Sequence, residues 1–191
     1  MVSPYGTNVE YGLHCLLYLV DQPEDATVSS RDLAEFQGVS PSLVAKIFTG
    51  LQKAGIVESD EGIRGGFRLA KSPGDISVFD VVRAVDGDKP LFQCREIRAN
   101  CVLYGDDPPA SATRGVCGIH AVMLDAQQRM FDALKERTLA SLAAEVDEKV
   151  PAKFVSEKKK WFEDRDELRR TPARLRSRLR AQHRCLFASF R

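Results

Sequence analysis

Between Ser30 and Ala70 the chain is punctuated so closely that few folds accommodate it. A short segment from Arg31 to Gln37 carries apolar Leu33, Ala34 and Phe36, opens at Ser30 and stops at Gly38. A glycine there suits the left-handed backbone that ends many helices. Ser40 then precedes Pro41. That is a hydroxyl at a helix N-cap followed by a proline at the first helical position, where its missing N–H costs nothing. From Pro41 to about Lys53, Leu43, Val44, Ile47 and Leu51 recur at helical steps, and Gly55 ends the run. Two short helices joined by a tight, glycine-containing turn form a helix-turn-helix, whose second helix is the reader. Ile56-Val57-Glu58-Ser59 reads as a strand, Asp60 to Gly66 as a turn with three glycines, and Phe67-Arg68-Leu69-Ala70 as the returning strand. Helix-turn-helix followed by a hairpin is a winged helix.

The remaining elements surround that unit. Val9 to Val20 reads as a first helix, with Leu13, Leu16, Leu17 and Val20 on one face. Another helix spans Val78 to Val85, and residues 90–117 are irregular. From Gly118 to about Lys149 the pattern predicts one long helix, its stripe running through Ile119, Val122, Met123, Ala126, Met130, Ala133 and Leu134 and on to Leu139, Leu142 and Val146. Alone it would expose too much apolar surface, so it is expected to pack on a partner subunit. The expected fold is mainly α with a small β-hairpin wing: a winged helix-turn-helix domain plus a long dimerisation helix. The divisions are a DNA-binding domain at 1–88, a cysteine-bearing loop at 89–117, a dimerisation helix at 118–150 and a basic tail at 151–191. That tail is expected to be disordered, with added non-specific DNA affinity as the alternative.

Charge is unevenly spread. The chain of 191 residues has a formal net charge of +1, yet residues 151–191 hold 13 Lys+Arg against 5 Asp+Glu, leaving 15 against 22 in residues 1–150. Any DNA contact by the acidic body must therefore be local. No apolar run approaches the roughly 20 residues of a membrane span, and the N-terminus lacks the marks of a signal peptide. The expectation is a cytoplasmic chain without membrane contact. Of five cysteines, Cys15 follows the apolar helix pattern, Cys185 lies in the tail, and Cys94, Cys101 and Cys117 fall in or beside the irregular segment. Clustered thiols in such a chain point to metal or redox chemistry before disulfides.

Leu33-Ala34, Val39-Ser40, Leu51-Gln52-Lys53-Ala54-Gly55-Ile56-Val57, Gly62-Ile63-Arg64-Gly65-Gly66-Phe67-Arg68-Leu69-Ala70 and Val81-Val82-Arg83-Ala84-Val85-Asp86-Gly87 occur in order. This succession resembles the BadM family of winged-helix transcriptional regulators, which includes the IscR- and NsrR-like iron–sulfur regulators. The match covers roughly residues 5 to 146 and leaves the tail outside. The resemblance implies a homodimer with its long helices crossing between subunits, palindromic double-stranded DNA sites, and a cluster held by three cysteines near the start of the long helix. It implies a transcriptional regulator, in the first instance a repressor, and not an enzyme.

On this reading Ser40, Ser42, Leu43 and Lys46 face base edges from the N-terminal end of the reading helix, with Lys46 and Lys53 reaching phosphates. Arg64 and Gly65 form the wing contact, Arg64 entering a narrow minor groove. The cluster ligands come from Cys94, Cys101 and Cys117 with Glu10, His14 and His120. Six residues separate the first two cysteines and fifteen the next pair, wider than in cluster-binding relatives. Two ligand sets stay open: Glu10, His14, Cys101 and Cys117 around a [2Fe–2S] cluster, or the three cysteines with one of Glu10, His14 or His120. An iron–sulfur cluster is expected, [2Fe–2S] ahead of [4Fe–4S], as a sensor of redox state, nitric oxide or iron. The alternatives are a cluster-free regulator using thiol or small-ligand sensing, and a zinc-stabilised protein-interaction scaffold.

Overall fold

The computed structural model describes residues 4–23, 26–60, 62, 65–105 and 107–171. Its helices and hairpin follow in the order α1 (Thr7–Val20), α2 (Ser30–Gln37), α3 (Pro41–Lys53), β1 (Val57–Asp60), β2 (Gly66–Leu69), α4 (Val78–Asp86), α5 (Ala110–Thr113), α6 (Gly118–Lys135), α7 (Leu139–Lys149) and α8 (Ala152–Arg170). The fold is mainly helical with one two-stranded antiparallel sheet, the winged helix expected from the sequence.

Local chemistry accounts for the boundaries. Ser29, not Ser30, caps α2: its hydroxyl accepts from the Asp32 N–H at 3.0 Å and donates to the Asp32 carboxylate at 2.7 Å. The hydroxyl three positions before Asp32 can reach the orphan N–H of the first turn, which decides between two adjacent serines. Gly38 closes α2 at φ 67°, and Pro41 opens α3. The hairpin pairs Val57 with Leu69 and Asp60 with Gly66. Val28 adds a bridge to Phe67, through N–H···O bonds of 3.0 and 2.8 Å in the two directions.

The core gathers Leu16 of α1, Leu33 of α2, Val44, Phe48 and Leu51 of α3, Val81 of α4 and Leu139 of α7, all inaccessible to solvent. Two glycines bring the helices together. A Cβ on Gly50 of α3 would lie 2.8 Å from the Ala84 carbonyl oxygen of α4, and one on Gly12 of α1 would lie 3.3 Å from Ile47 Cγ2. The N-terminus of α1 is tied to the end of α4, since the Gly6 N–H donates to Asp86 Oδ2 at 2.8 Å. That bond, first, and Lys89, second, hold the Asp86 carboxyl below the usual carboxylate range.

Two expectations are corrected. The stripe from Gly118 to Lys149 is not one helix but α6 and α7, broken at Glu136–Thr138. There the backbone pairs with residues 76–78: Val78 N–H donates to Arg137 O at 2.8 Å and Leu139 N–H to Ile76 O at 2.9 Å. Thr138 and Ser141 then form a capping box that restarts the helix. Leu139, placed in the dimer stripe by periodicity, instead sits in the core of its own chain. The first part of the tail is also ordered: α8 lays Phe162 into the same core, against Tyr18 and Phe36. Cys185 lies outside the described residues.

Helix propensity alone favours alanine over glycine in a helix interior by about 1 kcal/mol. Gly50→Ala is nevertheless expected to destabilise this protein, because the added methyl meets backbone of α4; overpacking of this kind costs ~1–3 kcal/mol. A thermal melt checks it, and a raised midpoint would contradict the close packing of α3 on α4.

Candidate DNA interface and thiol pocket

The reading helix α3 presents its N-terminal turn outward. Ser40 stands at the N-cap, yet its hydroxyl makes no capping bond and lies 2.7 Å from the hydroxyl of Ser42. Both are exposed, as are Lys46 and Lys53, while Leu43 is half-buried. Ser40 therefore holds the expected N-cap position without capping through its side chain. Gln52 near the end of α3 donates to Ser59 of β1 at 2.8 Å, coupling reading helix to wing.

The wing is anchored by aromatic packing, Phe48 on Phe67 with centroids 4.8 Å apart. It is also anchored by a close backbone approach. A Cβ on Gly66 would lie 2.8 Å from Val28 O, so glycine is required there by space. Gly65 is half-buried beside it, and Arg64 lies outside the described residues. Arg68 is held across the hairpin by Glu58 at 2.8 Å and Asp60 at 2.7 Å.

The cysteine segment folds around Arg98. Its guanidinium pairs with Glu96 and donates to the carbonyls of Thr113 at 3.2 Å and Gly115 at 2.9 Å. One side chain thus joins the turn before Cys101 to the turn before Cys117. Leu91 N–H donates to Gln127 of α6 at 2.7 Å and fixes where the segment begins. Within it lies a cavity of about 230 Å³ lined by Phe92, Cys94, Glu96, Arg98, Cys117 and His120 among others. The Arg98 pKa is raised, first by its hydrogen bond to Glu96 and further by Cys117 and Cys94, so the guanidinium stands within electrostatic reach of both thiols. The Glu96 carboxyl is lowered, chiefly by Arg98.

The structure thus brings Cys94, Cys117 and His120 to one cavity. Cys101 is half-buried at the end of the 3-10 turn Ile97–Asn100 and does not line it. Glu10 and His14 are exposed on α1, away from that lining. Among the described residues no three His, Cys, Asp or Glu side chains gather as a set that could hold a single metal ion. Arg98 and Glu96 were missed from the sequence, although their position between two cysteines was a signal. Cys15, by contrast, is buried among apolar side chains, and burial pushes its thiol up to about 12.

A reading helix coupled to a glycine-built wing defines a winged-helix DNA-binding protein. Comparison with known proteins gives the family. The family model Rrf2, described as an iron-dependent transcriptional regulator, matches residues 5–145. The HTH-type transcriptional regulator NsrR of Halalkalibacterium halodurans is 31% identical over 140 residues, 73% of this chain and 89% of its own. Protein rrf2 of Nitratidesulfovibrio vulgaris is 31% identical over 136 residues, 71% of this chain and 84% of its own. The fold is similar to that of T. potens IscR, with a TM-score of 0.57 at 22% identity over 81% of this chain and 96% of that one. It is also similar to CymR, the global cysteine regulator of B. subtilis, with a TM-score of 0.54 at 23% identity over 75% and 98%. The chain belongs to the Rrf2 family, the regulators that the sequence resembled. It is a DNA-binding transcriptional regulator, not an enzyme. No helix among the described residues is long and apolar enough to cross a membrane.

Only thiolates react with maleimides, so a thiol titrating near 12 is inert at neutral pH. In metal-free protein at pH 7, Cys94, Cys101 and Cys117 are expected to alkylate readily and Cys15 only on unfolding. Peptide mass spectrometry reads this, and equal labelling of Cys15 would refute its burial.

Proposed function

We propose that this chain is a cytoplasmic homodimeric repressor that reads palindromic duplex DNA and senses redox state, nitric oxide or iron through an iron–sulfur cluster, [2Fe–2S] ahead of [4Fe–4S]. The observation that carries the reading is the cavity lined by Cys94, Cys117, His120 and Arg98. Two thiols and an imidazole are the donors such a group takes. When bound, the cluster supplies a centre that responds to electrons and to nitric oxide. Cys94, Cys101 and Cys117 would hold it, with His120 as the donor nearest Cys117, or Glu10 and His14 brought by a second copy.

Support for the dimer comes from α6. None of its residues is buried, and Ile119 and Val122 are each 67% exposed. A second copy lying along α6 would cover that face and close the thiol segment, where Val102 and Leu103 are also exposed. In this reading residues 1–88 read DNA, 89–117 sense and α6 joins the subunits, while α7 packs on its own chain. Ser40, Ser42 and Leu43 touch base edges, Lys46 and Lys53 touch phosphates, and the wing contacts DNA through Arg64 and Gly65.

A route from pocket to DNA is built of packed groups. The cavity stands at the start of α6; α6 rests on α4 through Phe131 against Phe79, centroids 4.8 Å apart; α4 meets α3 at Gly50. A change in how Cys94 and Cys117 are held would bias the spacing of two reading helices in the dimer, a population shift. Coupling of this kind is typically worth ~1–3 kcal/mol. Two thiols lining one cavity without the third favour one alternative, thiol sensing without a cluster, which predicts colourless protein.

Anaerobic purification followed by visible spectroscopy and iron and sulfide analysis decides between them. Coloured protein with near-equal iron and sulfide, lost in Cys94→Ala and Cys117→Ala, is the expected result. Colourless protein after anaerobic reconstitution would remove the cluster. For the reading helix, Lys46→Ala should weaken binding to a 40-base-pair duplex and flatten its salt dependence by about one phosphate contact. An unchanged slope would take Lys46 off the DNA.

A further inference from the structure

Core packing does not account for Cys94 and Cys117 lining one cavity. Among the described residues from Asp88 to Cys117 none is buried, so other contacts shape the segment. Twenty-two residues separate the two cysteines. The chance that the ends of a flexible loop meet falls as about the three-halves power of its length, a penalty of roughly a hundredfold for a loop of this size. Cys101 is much nearer to Cys94 along the chain, yet it does not line the cavity. The bond from Leu91 to Gln127 lands nearly three turns along α6 from Cys117. It fixes where the segment begins and leaves open what brings Cys94 to Cys117.

Arg98 supplies the link. Its side chain is only 26% exposed. Nε and Nη2 pair with the two carboxylate oxygens of Glu96, the latter at 2.9 Å. Nη2 also donates to the carbonyls of Thr113 at 3.2 Å and Gly115 at 2.9 Å. Glu96 is the one non-glycine residue at positive φ among the described residues, at 48°. Such a conformation is uncommon for a residue with a side chain and persists where surrounding contacts fix it. The Glu96 N–H donates to Cys94 Sγ at 3.4 Å. Cys94 is thus bonded to Glu96, Glu96 to Arg98, and Arg98 to the carbonyl two positions before Cys117. Alongside, α5 packs on the 3-10 turn Ile97–Asn100.

We propose that Arg98 is a positioning residue that clasps the two arms of the segment and presents Cys94 and Cys117 as a preformed dithiol on one cavity, with Cys101 outside it. This rests on the reading of that cavity as the sensing site, but the clasp acts in the metal-free chain. The role belongs to the shape of the guanidinium and not to its charge alone. A planar fork can hold a carboxylate through two donors while serving carbonyls as well, whereas a lysine ammonium is a compact point charge on a flexible stem.

The test uses the full metal-free chain, the variants Arg98→Ala and Arg98→Lys, and bismaleimidoethane, whose two maleimides each add one thiol and release nothing. Peptide mass spectrometry of the monomer band counts bridges among Cys94, Cys101 and Cys117 within one chain. Each count is corrected by the rate at which N-ethylmaleimide labels that cysteine, so that a change in thiol reactivity does not register. In the native parent, bridges from Cys94 to Cys117 should outnumber those from Cys94 to Cys101. In urea the order should reverse, because the shorter loop closes more often. Both variants should lower the native ratio at least about tenfold, toward the unfolded pattern, and keep the thermal midpoint of the parent. An alanine variant with the parent's ratio overturns the clasp, and so does a lysine variant that restores it or a midpoint that falls with the ratio. A native parent that bridges Cys94 mainly to Cys101 overturns the clasp and the shared cavity behind the sensing reading. Colourless parent protein with the expected bridges removes the cluster alone and supports the clasp.

Discussion

The architecture depends on how closely α4 can approach α3. Backbone meets backbone at Gly50 and Ala84, with no room for a methyl between them. Gly12 allows α1 to settle into the same junction against Ile47 and Val85. Protein interiors are packed like organic crystals, so such a junction transmits displacement and does not absorb it. The wing packs on α3 through Phe48 and Phe67, and the thiol segment is tied at Leu91 to Gln127 of α6, which rests on α4. The glycine junction is therefore both the centre of the core and the shared support of the two candidate regions.

The second organising feature is the return of the C-terminal half onto the N-terminal half. Leu139 of α7 and Phe162 of α8 enter the core built by α1, α2 and α3. Ion pairs from α8 then land on Asp21, Asp32 and Glu35, acidic groups at the edges of α1 and α2. The more exposed Arg165–Glu35 pair contributes little by itself, whereas Lys158 and the Arg169–Asp32 pair are largely buried; the aromatic contacts among Trp161, Phe162, Phe36 and Tyr18 add apolar burial. Basic residues of α8 thus meet acidic groups of the body.

Legibility in the sequence varied with the range of the forces involved. Gly38 and Pro41 act within a few residues, and the reading helix and hairpin were found almost to the residue. Ser29 replaced Ser30 as the cap because the choice turns on which hydroxyl reaches one N–H. The break at Thr138 was hidden, since an apolar stripe continues across it; pairing with residues 76–78, about sixty positions away, interrupts the helix. Arg98 was overlooked because its importance lies in carbonyls at Thr113 and Gly115 that only the folded segment brings near.

The sequence by itself determined the class of fold and its polarity: a helix-turn-helix, a glycine-built hairpin, a cysteine-bearing segment and a basic end. These are set by backbone freedom, capping and periodicity, which are properties of neighbouring residues. Tertiary structure alone decided that Cys94 and Cys117 share a cavity with His120 while Cys101 does not line it. It also decided that α7 packs inward and that α8 returns onto α1 and α2. Those outcomes follow from side chains distant in sequence competing for the same apolar and ionic partners, and no local pattern records which of them wins.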